Sequence, residues 1–136
     1  MRLRLRHVRV DDHTYLWTAQ IRCIQGSGDC HRGIRVRVWR DGKTSRALQA
    51  DLLSLAWPAP LGACATDGSY PTADDVRQLV DYALAHGWLP AARGGTHALS
   101  ETGDAAFRLP GFLLTDRLTT PSAPDPTERV IRASGA

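Results

Sequence analysis

Residues 70–90 read YPTADDVRQLVDYALAHGWLP, which spells out one complete helix with its start, its buried face and its stop. Thr72 is an N-cap residue, and Asp75 three positions later gives a capping-box-like pattern. Val76, Leu79, Val80, Ala83 and Leu84 recur at i, i+3, i+4, i+7 and i+8, which puts them on one apolar stripe. Gly87 can take the left-handed conformation that ends a helix. Trp88 can fold back on the last turn, and Pro90 forbids continuation. The spacing predicts a helix over residues 72–86 whose stripe has to cover something apolar.

The residues before it supply a sheet. Residues 2–10 alternate arginine with leucine or valine. Leu3 and Leu5 then point one way while Arg2, Arg4 and Arg6 point the other. Val8 and Val10 break that register by one, which predicts a bulge near His7. Asp11-Asp12-His13 reads as a turn. Residues 15–24 read as a second strand, with Trp17, Ala19, Ile21 and Cys23 on one face and Thr18, Gln20 and Arg22 on the other. Residues 25–33 carry three glycines and read as a loop that is long for a hairpin. Residues 34–40 form the clearest strand: Ile34, Val36 and Val38 face the core, and Arg35, Arg37 and Trp39 face away. Asp41-Gly42 signals a two-residue hairpin, so residues 45–53 should return as a fourth strand. Leu48, Leu52, Leu55 and Ala56 also fit helical spacing, but the turn demands a partner.

Beyond the helix, residues 96–100 and 112–118 are short strand candidates. Residues 119–136 scatter Pro121, Pro124 and Pro126 among Ser, Thr, Asp and Glu, which predicts a disordered tail. The expected architecture is α+β: an antiparallel meander of about four strands, one amphipathic covering helix, and one or two short C-terminal strands, in a single domain over residues 1–118.

Composition agrees with a globular chain. The 136 residues are 43% apolar and 23% charged, enough for a core without metal or disulfides. The net charge is +3, and of 17 basic residues only Lys43 is a lysine. Residues 1–10 contain no apolar run typical of a secretion signal, and no window suits a membrane span. A cytoplasmic protein with Cys23, Cys30 and Cys64 reduced is the expectation.

The run Pro71-Thr72 … Val76 … Leu79-Val80 … Ala83 … His86-Gly87-Trp88-Leu89-Pro90 resembles a pattern in small uncharacterised bacterial, actinobacterial-like α+β proteins. In these a β-rich N-terminal half precedes a helix ending in Gly-Trp-x-Pro, and some are similar to accessory or immunity-type members of toxin and conflict loci. The resemblance covers residues 34–118, rests on a cap, a stripe and a stop, and carries over no catalytic residues. The basic charge departs from the acidic balance expected of a nuclease inhibitor.

Four features bear on function. On the expected meander Arg2, Arg4, Arg6, Arg22, Arg35 and Arg37 share the outer face with Trp39 beside them. Such a face is ordinary solubility patterning, a protein interface rich in hot-spot residue types, or a nucleic-acid surface that combines phosphate contacts with a stacking ring. The second feature is Gly26-Ser27-Gly28-Asp29-Cys30-His31. Cys30 beside His31 suggests a nucleophile, yet a catalytic pair needs mutual reach and an orienting third group, and sequence neighbours usually point apart. A phosphate loop would need a lysine and a following helix.

Thirdly, Cys23, Cys30, His31 and Cys64 supply ligand types for zinc, but the gap between Cys23 and Cys30 is wider than the usual spacing, and no cofactor is expected. Lastly, the exposed helix face carries Asp74, Arg77, Gln78 and Asp81, which form local ion pairs, with interface-prone Tyr82 on its flank. No convergent acid, base or metal set stands out. The resulting expectation is a non-enzymatic module whose partner is a protein, through Arg4, Arg6, Arg22, Arg35, Arg37, Trp39 and Tyr82. A nucleic-acid-binding module is the alternative, and a small enzyme using the Cys30-His31 loop is the third reading.

Overall fold

The computed structural model describes residues 4–56 and 67–133. Arg2, Leu3 and Cys64 lie outside them. Among the described residues the chain is α+β, with a mostly antiparallel sheet and two helices. The strands are β1 (Arg6–Val10), β2 (His13–Gln25), β3 (Cys30–Trp39), β4 (Ala47–Ser54), β5 (Thr96–Ala98) and β6 (Phe112–Leu114). The helices are α1 (Ala73–Ala85) and α2 (Pro126–Ala133). Sheet order is β1-β2-β3-β4-β5, and β6 also pairs with β4. β5 joins β4 in parallel from Ala47 to Gln49, while β6 joins it antiparallel from Leu52 to Ser54.

The chain groups into two compact units. The first takes Met1–Gln20, Arg35–Ala50 and Pro71–Leu99. Here β1 and β2 pair in one unbroken register, with Arg6 opposite Trp17, Val8 opposite Tyr15 and Val10 opposite His13. The bulge expected near His7 is absent from this pairing. Arg6 shares the face of Val8 and Val10 because its guanidinium lies over the Trp17 ring, 5.7 Å from the centroid. An arginine can lay its apolar stem and its cation on an indole, so the strand needs no slip to hide it.

α1 packs on β1. Thr72 Oγ1 accepts from the Asp75 amide at 3.1 Å, and the Asp75 carboxylate accepts from the Thr72 amide at 2.9 Å. This reciprocal box satisfies two amides that the helix leaves open. Val76, Leu79, Val80 and Ala83 are buried, whereas Leu84, expected on the same stripe, lies on its flank at 38% exposure. At the far end Gly87 takes φ 103° and the Trp88 amide reaches back to the Ala83 carbonyl at 2.9 Å, the six-to-one bond of a Schellman stop. The Trp88 indole is buried 5.9 Å from the Tyr15 ring and donates to the Arg46 carbonyl at 3.0 Å. The turn after β3 is wider than the two-residue hairpin expected. Gly42 has φ 87°, the Ser45 amide bonds back to its carbonyl, and β4 begins only at Ala47.

The second unit takes Ile21–Ile34, Asp51–Tyr70 and Ser100–Ala136. Residues 25–33, expected as a long loop, are mostly strand. β2 runs to Gln25, β3 starts at Cys30, and the Gly26 amide closes the turn on the Asp29 carbonyl at 2.8 Å. Gly33 serves close packing, because a Cβ there would strike the Ile24 side chain. Ile24, Leu53 and Val130 form a buried cluster with Leu118 against it. Ile21 and Cys23, expected on the core face, are exposed instead, Ile21 at 52%. The face that α2 covers through Val130 is that of Ile24.

Where composition predicts a disordered tail over residues 119–136, the chain forms α2. Asp125 starts it: its carboxylate accepts from the Thr127 amide at 3.1 Å and its carbonyl from the Arg129 amide at 3.2 Å. Pro126 then occupies the first helical position, where its missing N–H costs nothing. Upstream, Arg117 donates to the Ala123 carbonyl at 2.6 Å, and Thr120 to the Asp116 carbonyl at 2.8 Å.

Candidate functional site

In the first unit the Tyr15 and Trp17 side of β2 meets Trp88 and Arg6, so Thr18 and Gln20 point to the other side by strand alternation. There they meet Arg35 and Arg37, and the four line a shallow cleft of about 110 Å³. Arg37 is exposed, and its Nε donates to the Gln49 side chain at 2.9 Å. Arg35 is half-buried beside it. The buried Val36 and Val38 alternate with them on β3, which gives that strand the expected in-and-out pattern.

The other expected site residues are placed differently. Arg4 is exposed ahead of β1. Arg6 lies on the Trp17 face, opposite to Arg35 and Arg37. Trp39 has the parity of Arg35 and Arg37 but is only 7% exposed, with the Lys43 ammonium 5.5 Å from its ring. Tyr82 stands on α1 and stacks on His86, ring centroids 3.9 Å apart, while His86 Nδ1 contacts the Tyr82 carbonyl at 2.7 Å. Arg22 is exposed in the second unit. Of the seven, Arg35 and Arg37 are the pair that the structure joins in one cleft. Thr18 and Gln20 complete its lining, and Gln49 holds Arg37. They escape a search for charge and are found by strand parity and register.

The hairpin of residues 26–31 is held to the start of α2. Asp125 accepts from the Ser27 amide at 2.9 Å and from the Ser27 hydroxyl. Thr127 Oγ1 accepts from the Gly28 amide at 3.2 Å and meets His31 Nε2 at 2.7 Å. A Cβ on Gly26 or Gly28 would strike Thr127, so the glycines let two backbones approach. The Ser27 hydroxyl, ahead of the cost of burial, holds the Asp125 carboxyl below its ordinary value. His31 is 2% exposed, and burial pushes its imidazole below its ordinary value against the pull of Asp29 and Asp125. Its Nδ1 is buried and has no hydrogen-bond partner among the described residues.

Cys30 and His31 are not a catalytic pair in this arrangement. Cys30 is joined to Cys23 across the hairpin, with Cα atoms 6.3 Å apart, and a bridged sulfur is no thiolate. His31 turns the other way, to Thr127. The expectation of reduced cysteines is thus replaced by a disulfide between Cys23 and Cys30. Among the described residues no three His, Cys, Asp or Glu side chains converge as metal ligands.

The sequence signal that was available for this region is Asp125-Pro126, an N-cap followed by a proline at the first helical position. The surrounding Pro, Ser and Thr hide it. No family model matches the chain, and no curated protein or solved structure does either. No helix among the described residues is long and apolar enough to cross a membrane.

Proposed function

We propose that this chain is a non-enzymatic protein-binding module of the accessory, adaptor or immunity type, taking an acidic protein surface on its Arg35–Arg37 face. On this reading the four-stranded meander β1–β4, covered on one side by α1, is a scaffold that presents its other side.

The observation that carries the reading is the burial of Trp39 on a strand whose Arg35 and Arg37 line one cleft. Basic strands that read single-stranded nucleic acid add exposed rings on which bases stack. Here the ring is withdrawn, and hydroxyl and amide groups of Thr18, Gln20 and Gln49 surround the arginines instead. Guanidinium forks match carboxylates bidentately. The Gln49 bond orients Arg37 before any partner arrives, which lowers the ordering cost of association.

The test is capture by the tagged full chain from its host after nuclease treatment, repeated with Arg35→Glu and Arg37→Glu together. The expected result is a stoichiometric protein that the charge reversal releases at least tenfold. Recovery of the same protein by the reversed chain would sink the proposal. So would capture that nuclease abolishes and that weakens steeply between low and moderate salt, the signature of phosphate binding.

A further inference from the structure

A second concave site lies within the second unit, between Phe107 and the last turn of α2. It encloses about 340 Å³, at the small end of the range for ligand clefts. Leu113 and Leu114 of β6 give it a buried apolar floor, and the half-buried Phe107 contributes one wall. Around this floor stand three guanidiniums, those of Arg108, Arg129 and Arg132.

Arg129 is committed. It pairs with Glu101 at 3.2 Å and donates to the Leu114 carbonyl at 2.6 Å. The other oxygen of Glu101 accepts from the Asp116 amide at 2.7 Å. Both oxygens of Glu101 are therefore engaged, and its charge is paired with that of Arg129. The Asp104 carboxylate accepts from the Ser100 amide at 2.8 Å. Arg108 and Arg132 have no hydrogen-bond or ion-pair partner among the described residues. Three guanidiniums against two carboxylates leave the pocket net positive. Arg132 stands at the carbonyl end of α2 and offsets the negative end of that helix.

An apolar floor with an aromatic wall and two unengaged forks has a definite complement. We propose that this pocket binds a small oxyanion carried on a flat apolar group, with Arg108 and Arg132 taking the oxyanion and Phe107 with the leucine floor taking the flat part. Each guanidinium offers paired N–H donors in the plane that phosphate and carboxylate oxygens fit. The ring adds apolar contact that inorganic anions cannot use. This site is independent of the Arg35–Arg37 face.

The experiment is a titration of the isotope-labelled full chain with phenyl phosphate and, separately, with inorganic phosphate, followed by amide chemical shifts. Phenyl phosphate is expected to saturate, with shifts confined to residues 101–108, 113–114 and 129–133, and to bind at least tenfold tighter than inorganic phosphate. Arg108→Ala with Arg132→Ala should weaken it by tenfold or more. Both side chains are exposed, so the unliganded amide spectrum should be kept. Arg108→Gln alone, a milder variant, should weaken it about threefold. Shifts scattered over the surface, absence of saturation, or equal affinity of the parent and double-arginine variant would each overturn the site. Equal affinity for the two probes would overturn the role given to Phe107 and the leucine floor.

Discussion

α1 is started by a hydroxyl and a carboxylate three residues apart, whereas the groups that lock the start of α2 to its surroundings lie 98 and 99 positions upstream. The stop of α1 is equally local, five residues from Ala83 to Trp88. Its stripe then buries Val76, Leu79, Val80 and Ala83. α2 has eight residues and buries only Pro126 and Val130. A helix that short gains little from propensity. It exists because Asp125 and Thr127 each serve two masters, the helix and the hairpin. One helix is a local statement that the tertiary structure uses, and the other is a tertiary contact that happens to be helical.

Three experiments would break or sharpen that contrast. The largest effect is expected from Leu79→Ala, which empties a fully buried position of α1. It should cost about 3 kcal/mol, read as a lower midpoint in urea. A cost below about 1 kcal/mol would mean that the stripe is not the main support of the helix.

The next concerns the hairpin that holds α2. The Cys23–Cys30 bridge closes a loop of separation 7, which the chain-entropy account values at about 2.5 kcal/mol. Replacing both cysteines by serine should lower stability by that order, and reductant should do the same to the parent but not to the variant. Insensitivity of the parent to reductant would mean that the two sulfurs are not joined in solution.

The smallest effect is a matched pair of cap deletions. Thr72→Ala and Asp125→Ala should each cost about 1 kcal/mol, but they should differ in acid. The Asp125 carboxyl is held below its ordinary value of 3.8, chiefly by Ser27. Its contribution is complete above that value and is lost below it, as the pH falls through the lower folded value. His31 is held below 6.5 by burial, so the unfolded chain binds its proton first. Stability therefore declines as the pH drops below 6.5, because charging His31 would bury an imidazolium whose Nδ1 has no acceptor among the described residues. Asp125→Ala should flatten the acid limb near pH 4, Thr72→Ala should leave both limbs alone, and stability curves from pH 7 to 3 would show it. Identical curves for the two variants would erase the distinction between the helices.

What was legible in the sequence follows the same division. The α+β class and α1 could be read because caps, stripe and stop are near neighbours, and β4 because a turn preceded it. The face of Arg6 could not be read, since binary patterning treats arginine as solvent-facing, whereas its guanidinium lies over the indole of Trp17. The glycines of residues 26–33 suggested a loop because their partners, Thr127 and Ile24, were not visible to a local reading. Of the seven residues expected on one surface, Arg35 and Arg37 share a cleft. The others are placed elsewhere for physical reasons: Trp39 is buried with the Lys43 ammonium over its ring, and Tyr82 has a stacking partner in His86.

The way the second unit is gathered from the chain bears on when it can form. Residues 21–34 are made early, but the carboxylate and hydroxyl that seat the hairpin belong to residues 125 and 127. On a ribosome the first unit has all its segments once residue 99 has emerged, while the second must wait for the last of its three. Contacts of such long separation close slowly. Until then the nascent chain shows the Ile24 and Leu53 surface that Val130 later covers, so a stall or truncation before Asp125 would release a chain with one finished half and one adhesive one.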